Sequence, residues 1–495
     1  MIGPNAEDGV IQGGGSAQLT PHYSISPLAG LVAALPEASV THHRGCVADR
    51  YVPQVDAADW QPMTHASEGS TDEGSTDGPL LVEIFDNPEL AGQPAVRRTS
   101  RNLFAFYHGD NTAVPEAERW SQRWTGSLAI AVGGTHRFGI LAVGRSRVLV
   151  NGRLVADNWT APQPGQAFFE KASEEVIGSI ELEVGTVAEI VVEWSGGEDH
   201  DLAGLRFGHR PPLDEDAMLD EAVAMAADAE AAVVVVGLTA EWETESHDRI
   251  MFGLPGRQDE LVTRIAAVNP RTVVVLNAGG PVDLPWLDEV PAAIMAWYPG
   301  QEFGSALADV LLGNTDPGGR LPVTFPRRLE DAPTAGSVPG DGEFLEYAEG
   351  LLIGHRWYTE HGTDPLLPFG HGLSYTRFDF GPAVVDAEAS AAGLTGRGPA
   401  VVTVPVSNVG LRAGKCVVQV YLRPGIPGRP RVLAGFGATT IEPGRTETVS
   451  VPIDPPVLRA WDGSAELWAP LSGTHILEIA TSSTAVEQTV EITVD

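Results

Sequence analysis

Hydrophobic and polar positions along the chain follow two periods, which separate α/β stretches from all-β stretches. Continuous apolar runs such as "AVVVVG" (232–237) and "TVVVLNAGG" are typical of buried parallel strands. They alternate with amphipathic runs that predict helices, "DEAVAMAADAEA" and "GRQDELVTRIAAV". A similar unit opens the chain, where the helix-like run "SPLAGLVAALP" precedes the short strand candidate "ASVTHHRGC". The pattern predicts a largely parallel sheet that is covered by helices on both faces.

A different pattern, short runs of alternating polarity, occupies the middle and the end of the chain. In the middle block, "SRVLVNGRLVADNW" places Asn151-Gly152 between two apolar runs, which is a strong hairpin signal. This block predicts an all-β domain inserted into the α/β domain, since both halves of the latter are needed for its sheet. The final block, with "AVVTVPVSNVG" and "CVVQVYLRP", predicts a sandwich of immunoglobulin or fibronectin III type.

These patterns define a multidomain α/β plus all-β chain. Its α/β/α sandwich is interrupted by one β domain and followed by a β-sandwich. A polar segment with EGSTD occurring twice precedes the inserted domain and predicts a solvated linker. The predicted parts are 1–65 and 213–330 for the two pieces of the α/β/α sandwich, 79–212 for the inserted β domain, 331–397 for a Pro/Gly-rich connecting segment, and 398–495 for the C-terminal β-sandwich.

The charge balance restricts the partners. The chain has 31 basic and 66 acidic residues, a net charge of −35. Such a surface repels nucleic acid and anionic membranes, and it suits neutral or cationic ligands. No apolar run is long enough for a membrane span. The N-terminus lacks the features of a signal peptide, and only Cys46 and Cys416 occur, so we expect a cytoplasmic protein without a disulfide framework.

The stretch "EWETESHDR" directly follows the apolar strand 232–236 and carries three carboxylates, Glu241, Glu243 and Glu245. Ligands of open parallel sheets bind beyond the carboxyl ends of the strands, so a carboxylate here could be offered to a ligand. The alternative is an ordinary solvated acidic loop. Spacing by itself does not choose among the three glutamates.

Two further motifs could suggest a cofactor or metal, but neither fits. "QGGGSAQ" lacks the Gly-Lys-Ser/Thr ending of a phosphate loop and the last glycine of a dinucleotide fingerprint, so we interpret it as a turn on the rim that carries Glu245. His42, His43 and Cys46 lie on a short predicted strand whose alternation sends neighbours to opposite faces. We therefore expect no cofactor and no metal.

Many motifs along the chain, in this order, resemble glycoside hydrolase family 3, the β-glucosidase and β-xylosidase family. The motifs include "GPNA", "QGGGSA", "WETESHDR", "LPGRQDELV", "AWYPGQEFGSALADVLLGNTDPGGRLPVTFP", "PFGHGLSYT" and "LAGFGATTIEPGRTETV". The resemblance implies the C-terminal part of such an enzyme, with a fibronectin III-like final domain. The inserted block, with "RWTGSLAI" and "VLVNGRLVADNW", resembles a PA14 domain.

The resemblance also implies roles for particular residues. The loop motif of the family runs Glu-Gly-x-Asp-Arg, so its general acid/base corresponds to Glu245, with Ser246 in place of glycine. Trp242 would line the sugar site, and Phe168 or Phe169 of "GQAFFEKASEE" would stack on the outer part of the substrate; in each case core packing is the alternative. By the same resemblance, Asp248 and Arg249 would brace the loop, and His355 and His371 would be scaffold residues.

The implied reaction is hydrolysis of terminal β-D-glucosyl or related residues with retention of configuration. In the family, the nucleophilic aspartate lies on a preceding barrel, usually in a Ser-Asp-Trp setting, and no Ser-Asp-Trp occurs here. We therefore expect little activity from this chain alone, with the barrel supplied by a separate chain or by an upstream reading frame. Because the surface that faces the barrel would be exposed, we also expect homo-oligomers when the chain is made alone. The alternative is a non-catalytic carbohydrate-binding or scaffold protein, or an inactive remnant.

Overall fold

The computed structural model describes residues 1–62, 78–108, 119–196, 202–245, 248–249, 251–337, 344–386 and 400–494. The tandem EGSTD segment lies almost wholly outside these residues. The chain forms two compact units. The first consists of Met1–Ser24, Thr41–Gly279 and Trp286–Gln301, and the second of Ile25–Val40, Gly280–Pro285 and Glu302–Asp495.

Helices and strands alternate in the α/β regions, whereas strands dominate the two β regions. The helical segments are α1 Pro27–Ala34, the single turn α2 Ala167–Glu170, α3 Glu215–Asp228, α4 Gln258–Val268, α5 Phe303–Leu311 and α6 His355–His361. The strands are β1 Leu80–Phe85, β2 Val96–Ser100, β3 Phe104–His108, β4 Ser121–Ala129, β5 Gly134–Ala142, β6 Arg145–Val150, β7 Arg153–Asn158, β8 Val176–Leu182, β9 Val187–Ser195, β10 Leu202–Arg210, β11 Ala232–Gly237, β12 Thr272–Asn277, β13 Ala292–Met295, β14 Phe378–Phe380, β15 Val384–Val385, β16 Ala400–Asn408, β17 Gly414–Arg423, β18 Val432–Ile441, β19 Thr446–Ile453, β20 Arg459–Asp462, β21 Leu467–Pro470, β22 Gly473–Ala480 and β23 Val486–Val494.

The parallel sheet of the first unit has the order β11-β12-β13. Its apolar strands are buried, as their continuous hydrophobic runs predict. Ile2 extends this sheet, because it makes parallel bridges with both Val234 and His43. The predicted strand "ASVTHHRGC" is thus reduced to the single bridge at His43, since the chain around it pairs only with the short N-terminal segment.

Local sequence explains where the first unit's helices start. Asp214 caps α3 by accepting a hydrogen bond from Ala217 N at 3.0 Å, and acidic residues fill the first turn. Helices α3 and α4 pack on one another, and α4 contacts β11 and β12. The amphipathic pattern of α4 buries Leu261, Val262 and Ile265.

The inserted β domain has two antiparallel sheets with the orders β2-β1-β4-β9-β6-β7 and β3-β10-β5-β8. Their facing side chains form one core that includes Trp124, Trp194, Phe138 and Phe207. Trp60, which precedes the domain in sequence, also lies in this core and bridges to β4 at Leu128. The residues before the domain are therefore part of its packing.

The hairpin predicted at Asn151-Gly152 is confirmed. Strands β6 and β7 pair antiparallel around these two residues, whose φ angles are +51° and +74°. Two successive positive φ angles match the twist of a two-residue turn, which is why Asn-Gly is favoured there.

In the second unit, α1 and α5 cross at two glycines. A Cβ on Gly30 would lie 2.1 Å from the backbone carbon of Gly304, so neither position has room for a side chain. The C-terminal β-sandwich consists of β14-β16-β15 with β19 beside β16, and of β18-β17-β22-β23. Its core includes Val404, Val418 and Leu477, as the alternating pattern predicts.

Helices of the described residues are too short or too polar to cross a membrane.

Candidate active site

Residues 238–245, here called the acidic loop, start where β11 ends, at the edge formed by the strands' carboxyl ends. Buried Asn277 at the end of the adjacent strand organises this edge. Its backbone oxygen accepts from Leu238 N at 3.0 Å, and its Oδ1 accepts from Asn5 Nδ2 at 3.1 Å and from Val10 N at 2.8 Å. Asn277 thus holds the start of the acidic loop with its backbone and the N-terminal segment with its side-chain amide.

The Asn277 side chain also holds a strained residue. Its Nδ2 donates to the backbone oxygen of Trp297 at 2.6 Å, and Trp297 has a φ of +56°. A positive φ is costly for a side chain of this size, and such strain persists only where surrounding contacts impose it. With Trp297 in this conformation, Tyr298, the next residue, lies beside the acidic loop and donates to Glu243.

Glu241, the first glutamate of the acidic loop, is committed to an ion pair. Its Oε1 accepts from Arg206 Nη2 at 2.6 Å, and its backbone oxygen accepts from Arg50 Nη1 at 3.1 Å. Both arginines are near the inserted β domain, and Arg206 belongs to β10. Glu241 therefore fixes the loop through its ion pair with Arg206.

Glu243 is also fully engaged. Its Oε2 accepts from Gly279 N at 2.6 Å and from the Tyr298 hydroxyl, and Arg249 Nη1 lies 3.5 Å from its Oε1. Burial, followed by the hydrogen bond to Glu243, raises the pKa of Tyr298, so the phenol stays a donor. Asp248 and Arg249 were predicted to brace the loop. Arg249 does contact Glu243, whereas Asp248 is exposed.

Glu245 is exposed, and its carboxylate accepts a hydrogen bond from the backbone N–H of Ser16 at 2.9 Å. Hydrogen bonding from Ser16, by its side chain and then its backbone, holds the pKa of Glu245 below the ordinary 4.5. The carboxylate is therefore ionised at neutral pH and open to a ligand. Ser246, which replaces the family's glycine, lies outside the described residues.

The glycine-rich "QGGGSA" segment packs tightly on the acidic loop. Gly14 N donates to the Glu243 backbone oxygen at 2.9 Å. A Cβ on Gly14 would lie 2.2 Å from the Ala240 oxygen, and one on Gly15, whose φ is +79°, would lie 2.6 Å from Glu245 Cβ. Close approach of two backbones accounts for these glycines, and a phosphate site is not needed to explain them.

Trp242 is half-buried and held on two sides. Its Nε1 donates to the Ala48 oxygen at 2.8 Å, and the Arg50 guanidinium lies 5.4 Å from its ring centroid. A cation at this distance is attracted to the ring face. These contacts give Trp242 a structural role in the acidic loop, next to the candidate carboxylate.

Phe168 and Phe169 have different surroundings. Phe168 stacks on Phe106 with centroids 5.7 Å apart and packs against the small core around Leu202, whereas Phe169 is 46% exposed. Phe168, Phe169 and Glu170 have φ angles of +51°, +59° and +62°, three successive non-glycine residues in the left-handed region. Such a run is strained and is typical of loops held for a function.

The structure bears on the metal candidates as well. His42 Nδ1 lies 3.8 Å from Glu7, His43 Nε2 lies 3.4 Å from Glu221, and Cys46 is a buried free thiol. Within the described ranges, no group of three or more potential metal ligands comes together. His42 and His43 therefore each pair with a different carboxylate, in keeping with scaffold roles.

Comparison with known families identifies the chain. The profile of the glycosyl hydrolase family 3 C-terminal domain matches residues 1–375. The chain belongs to glycosyl hydrolase family 3. A fibronectin type III-like domain matches residues 416–483, which confirms that part of the prediction.

Several family 3 relatives match almost the whole chain. A β-glucosidase of Rhizobium radiobacter is 35% identical over 99% of this chain and 58% of the relative. A probable β-glucosidase I of Aspergillus terreus is 32% identical over 99% of this chain and 60% of the relative. The chain thus spans about three fifths of the length of the curated relatives it matches.

Solved structures agree with the fold. A Kluyveromyces marxianus β-glucosidase in complex with glucose matches 100% of this chain and 58% of its own, with a TM-score of 0.84 and 28% identity. A Streptomyces venezuelae β-glucosidase in complex with D-glucose matches 100% of this chain with a TM-score of 0.66 and 28% identity. The mixed α/β and β-rich architecture is therefore that of family 3 β-glucosidases.

Sequence analysis did not single out Arg50, Arg206, Ser16 or Tyr298. Each acts on the acidic loop from a distant part of the sequence. The only signal for them was the excess of carboxylates in the loop, because buried carboxylates need cationic or hydrogen-bonding partners.

Proposed function

We propose that this chain supplies the general acid/base, Glu245, of a retaining β-glucosidase. The observation that carries the proposal is the division of labour in the acidic loop. The Glu241 carboxylate is ion-paired with Arg206, and that of Glu243 accepts from Gly279 and Tyr298. Glu245, in contrast, is exposed and bound by Ser16. An acid/base must have a carboxylate free to reach the glycosidic oxygen and then water.

The mechanism needs a second carboxylate as nucleophile. In the first step, an aspartate attacks the anomeric carbon while Glu245 gives its proton to the leaving oxygen, and in the second step Glu245 takes a proton from water. We propose that this aspartate belongs to a barrel domain outside these 495 residues, on the same or a separate polypeptide. The resemblance to family 3 and the lack of a Ser-Asp-Trp motif support this proposal.

The lowered pKa of Glu245 favours one of its two proposed roles over the other. Ser16 holds the pKa low, which suits the base of the second step and opposes the acid of the first. A nucleophilic carboxylate ~5–5.5 Å away would raise the pKa of Glu245 by charge repulsion, and would cease to do so once it is glycosylated. The pKa of Glu245 would then be higher in the first step, when it gives a proton, and lower in the second step, when it takes one.

We propose a β-D-glucosyl residue as the substrate's cleaved sugar, since the matching relatives are named β-glucosidases. The exposed ring of Phe169, whose centroid lies 6.5 Å from that of Phe106, would contact the outer part of the substrate. Phe168, which stacks on Phe106, would support the loop from within the domain. Trp242 would line the sugar site through its ring face. These roles extend the PA14-like interpretation of the inserted domain.

The test is release of nitrophenol from an aryl β-glucoside by the purified chain, with and without the barrel region of a family 3 relative. We expect release only when the barrel is present, and a loss of about 10²–10⁴-fold in Glu245→Gln. Glu243→Gln is the matched control, since that carboxylate would not touch the substrate. Activity of the chain alone would contradict the shared-site proposal.

Leaving-group dependence separates acid catalysis from a folding defect. Glu245→Gln should impair cleavage of an alkyl β-glucoside far more than that of a dinitrophenyl β-glucoside, whose leaving group needs no proton. Equal losses on both substrates would count against Glu245 as the acid. Glucoside binding without hydrolysis in any combination would favour the alternative, a non-catalytic carbohydrate-binding protein.

A further inference from the structure

Two arginines connect the acidic loop to residues 166–175 of the inserted domain, here called the aromatic loop because it carries Phe168 and Phe169. Arg50 makes the first connection. Its Nη1 donates to the Glu241 oxygen at 3.1 Å, and its Nη2 donates to Gln166 Oε1 at 3.3 Å. One guanidinium therefore touches the acidic loop and the first residue of the aromatic loop at once.

Arg206 makes the second connection. Its Nη2 donates to Glu241 Oε1 at 2.6 Å, and its Nη1 lies 3.5 Å from Glu175 Oε1 and 2.8 Å from the Val52 oxygen. The side chains of Arg206 and Glu175 are only 7% and 8% exposed. Since Glu175 is the last residue of the aromatic loop, both ends of that loop are tied to Glu241 through an arginine.

Tyr51 keeps the two arginines in place. The guanidinium carbons of Arg50 and Arg206 lie 5.2 and 5.0 Å from the centroid of its ring. Glu175 is held in turn by Val52 N, which donates to both of its carboxylate oxygens at 3.1 Å. The planar fork of arginine suits such bridging, because it directs several donors along fixed lines.

The anchored loop contains the most strained backbone near the site. The left-handed residues Phe168, Phe169 and Glu170 lie between the anchors Gln166 and Glu175. A run of unfavourable φ angles relaxes unless contacts on both sides hold it. The two arginines provide such contacts, and the same two side chains also bind Glu241 in the loop that carries Glu245.

We propose that Arg50, Arg206 and Glu241 are positioning residues that lock the aromatic loop to the acidic loop, and thereby determine which aglycones reach Glu245. None of the three is proposed to touch the reacting atoms. The inference rests on the proposed function for its consequence in catalysis, whereas the coupling of the two loops is a property of the chain itself. The coupling predicts that a substitution which increases the mobility of one loop also increases the mobility of the other.

The coupling is measured by hydrogen–deuterium exchange of peptides covering 166–175 and 238–245 in the purified chain. In Glu241→Gln, we expect exchange in both loops to rise by about tenfold, and in Arg206→Lys by less, because the charge remains but the fork is lost. Glu83→Gln is the matched control, since Glu83 pairs with Arg97 and Arg123 in the same domain. It should leave both loops unchanged.

Two results of this experiment would overturn the proposal. In one, exchange in both loops stays at the level of the unmodified chain in Glu241→Gln. In the other, only the acidic loop loosens, which would mean that the aromatic loop is held by its own packing. Either result is independent of whether the chain hydrolyses glucosides.

The consequence for catalysis is tested in the barrel-containing form. Glu241→Gln should raise KM for an aryl β-glucoside several-fold more than KM for methyl β-glucoside, because the aromatic loop would contact the larger aglycone. A merely structural role would lower kcat/KM equally for both, and that result would overturn the specificity claim. Coupled loops without any hydrolysis would instead contradict the proposed function and leave the coupling intact.

Discussion

Ser16 and Glu245 lie 229 positions apart in sequence, yet the Ser16 backbone N–H donates to the Glu245 carboxylate at 2.9 Å. This hydrogen bond joins the glycine-rich N-terminal segment to the loop that follows β11. It fixes the direction of an otherwise exposed side chain and lowers its pKa. This hydrogen bond, the packing around it and a buried histidine pair in the inserted domain lead to four measurable expectations.

Replacing Ser16 should raise the pKa of Glu245. The Ser16 side chain is the largest cause of the lowered pKa, so Ser16→Ala removes that stabilisation of the carboxylate. The measurement is an NMR titration of the glutamate side-chain carboxyl carbons. Ser464→Ala is the matched control, because Ser464 lowers the pKa of Asp462 in the same way. A Glu245 titration that is identical in Ser16→Ala and the unmodified chain would contradict the assignment.

A methyl group at Gly15 should displace Glu245. The added Cβ would lie 2.6 Å from Glu245 Cβ, a distance at which one of the two must move. In Gly15→Ala we therefore expect the Glu245 pKa to return toward its ordinary value, in the same titration. Gly92→Ala separates the clash from backbone strain, because Gly92 has a φ of +80° and open space around it. Equal effects of the two substitutions on Glu245 would argue against the close packing.

Tyr298→Phe should destabilise the first unit, because Glu243 would keep its half-buried position and lose a hydroxyl donor. The expected loss in the free energy of unfolding is about 1–3 kcal/mol, the usual cost of an unsatisfied group near a charge. Urea unfolding followed by tryptophan fluorescence gives the value. Tyr375→Phe removes a hydroxyl from an exposed tyrosine that donates to the Val310 oxygen, and it should cost less. A larger loss for Tyr375 would contradict this account.

Stability should fall at mildly acidic pH because of His209. Burial, followed by repulsion from His136, lowers the pKa of His209 from 6.5 to about 4. Below about pH 6.5 the unfolded chain binds a proton that the folded protein excludes until about pH 4, so the free energy of unfolding decreases across this window by about 3 kcal/mol and then levels.

The variant for this test is His209→Gln, which keeps a donor toward His136 Nδ1, 2.9 Å away, and does not titrate. Chemical unfolding of both proteins between about pH 4 and 8 should show the unmodified protein losing stability relative to the variant as the pH falls below about 6.5. Parallel curves would mean that the buried histidine pair contributes nothing to the acid sensitivity.

Sequence periodicity was sufficient for the elements because burial acts on each strand or helix separately. The continuous apolar runs of β11 and β12 and the helical period of α4 are local patterns. The Asn151-Gly152 turn is likewise a local conformational preference. In contrast, the predicted strand around His43 shrank to one bridge, because its length depends on the partner strand that Ile2 provides.

By itself, the sequence determined the order of elements, the place of the acidic loop after β11, and the motifs that resemble family 3. Only the tertiary structure decided which glutamate stays free. Glu241 is bound by Arg206, 35 positions away, and Glu243 by Tyr298, 55 positions away. Spacing within a loop reports which side chains are neighbours along the chain, whereas the charge and hydrogen bonding of each carboxylate depend on residues that folding brings to it.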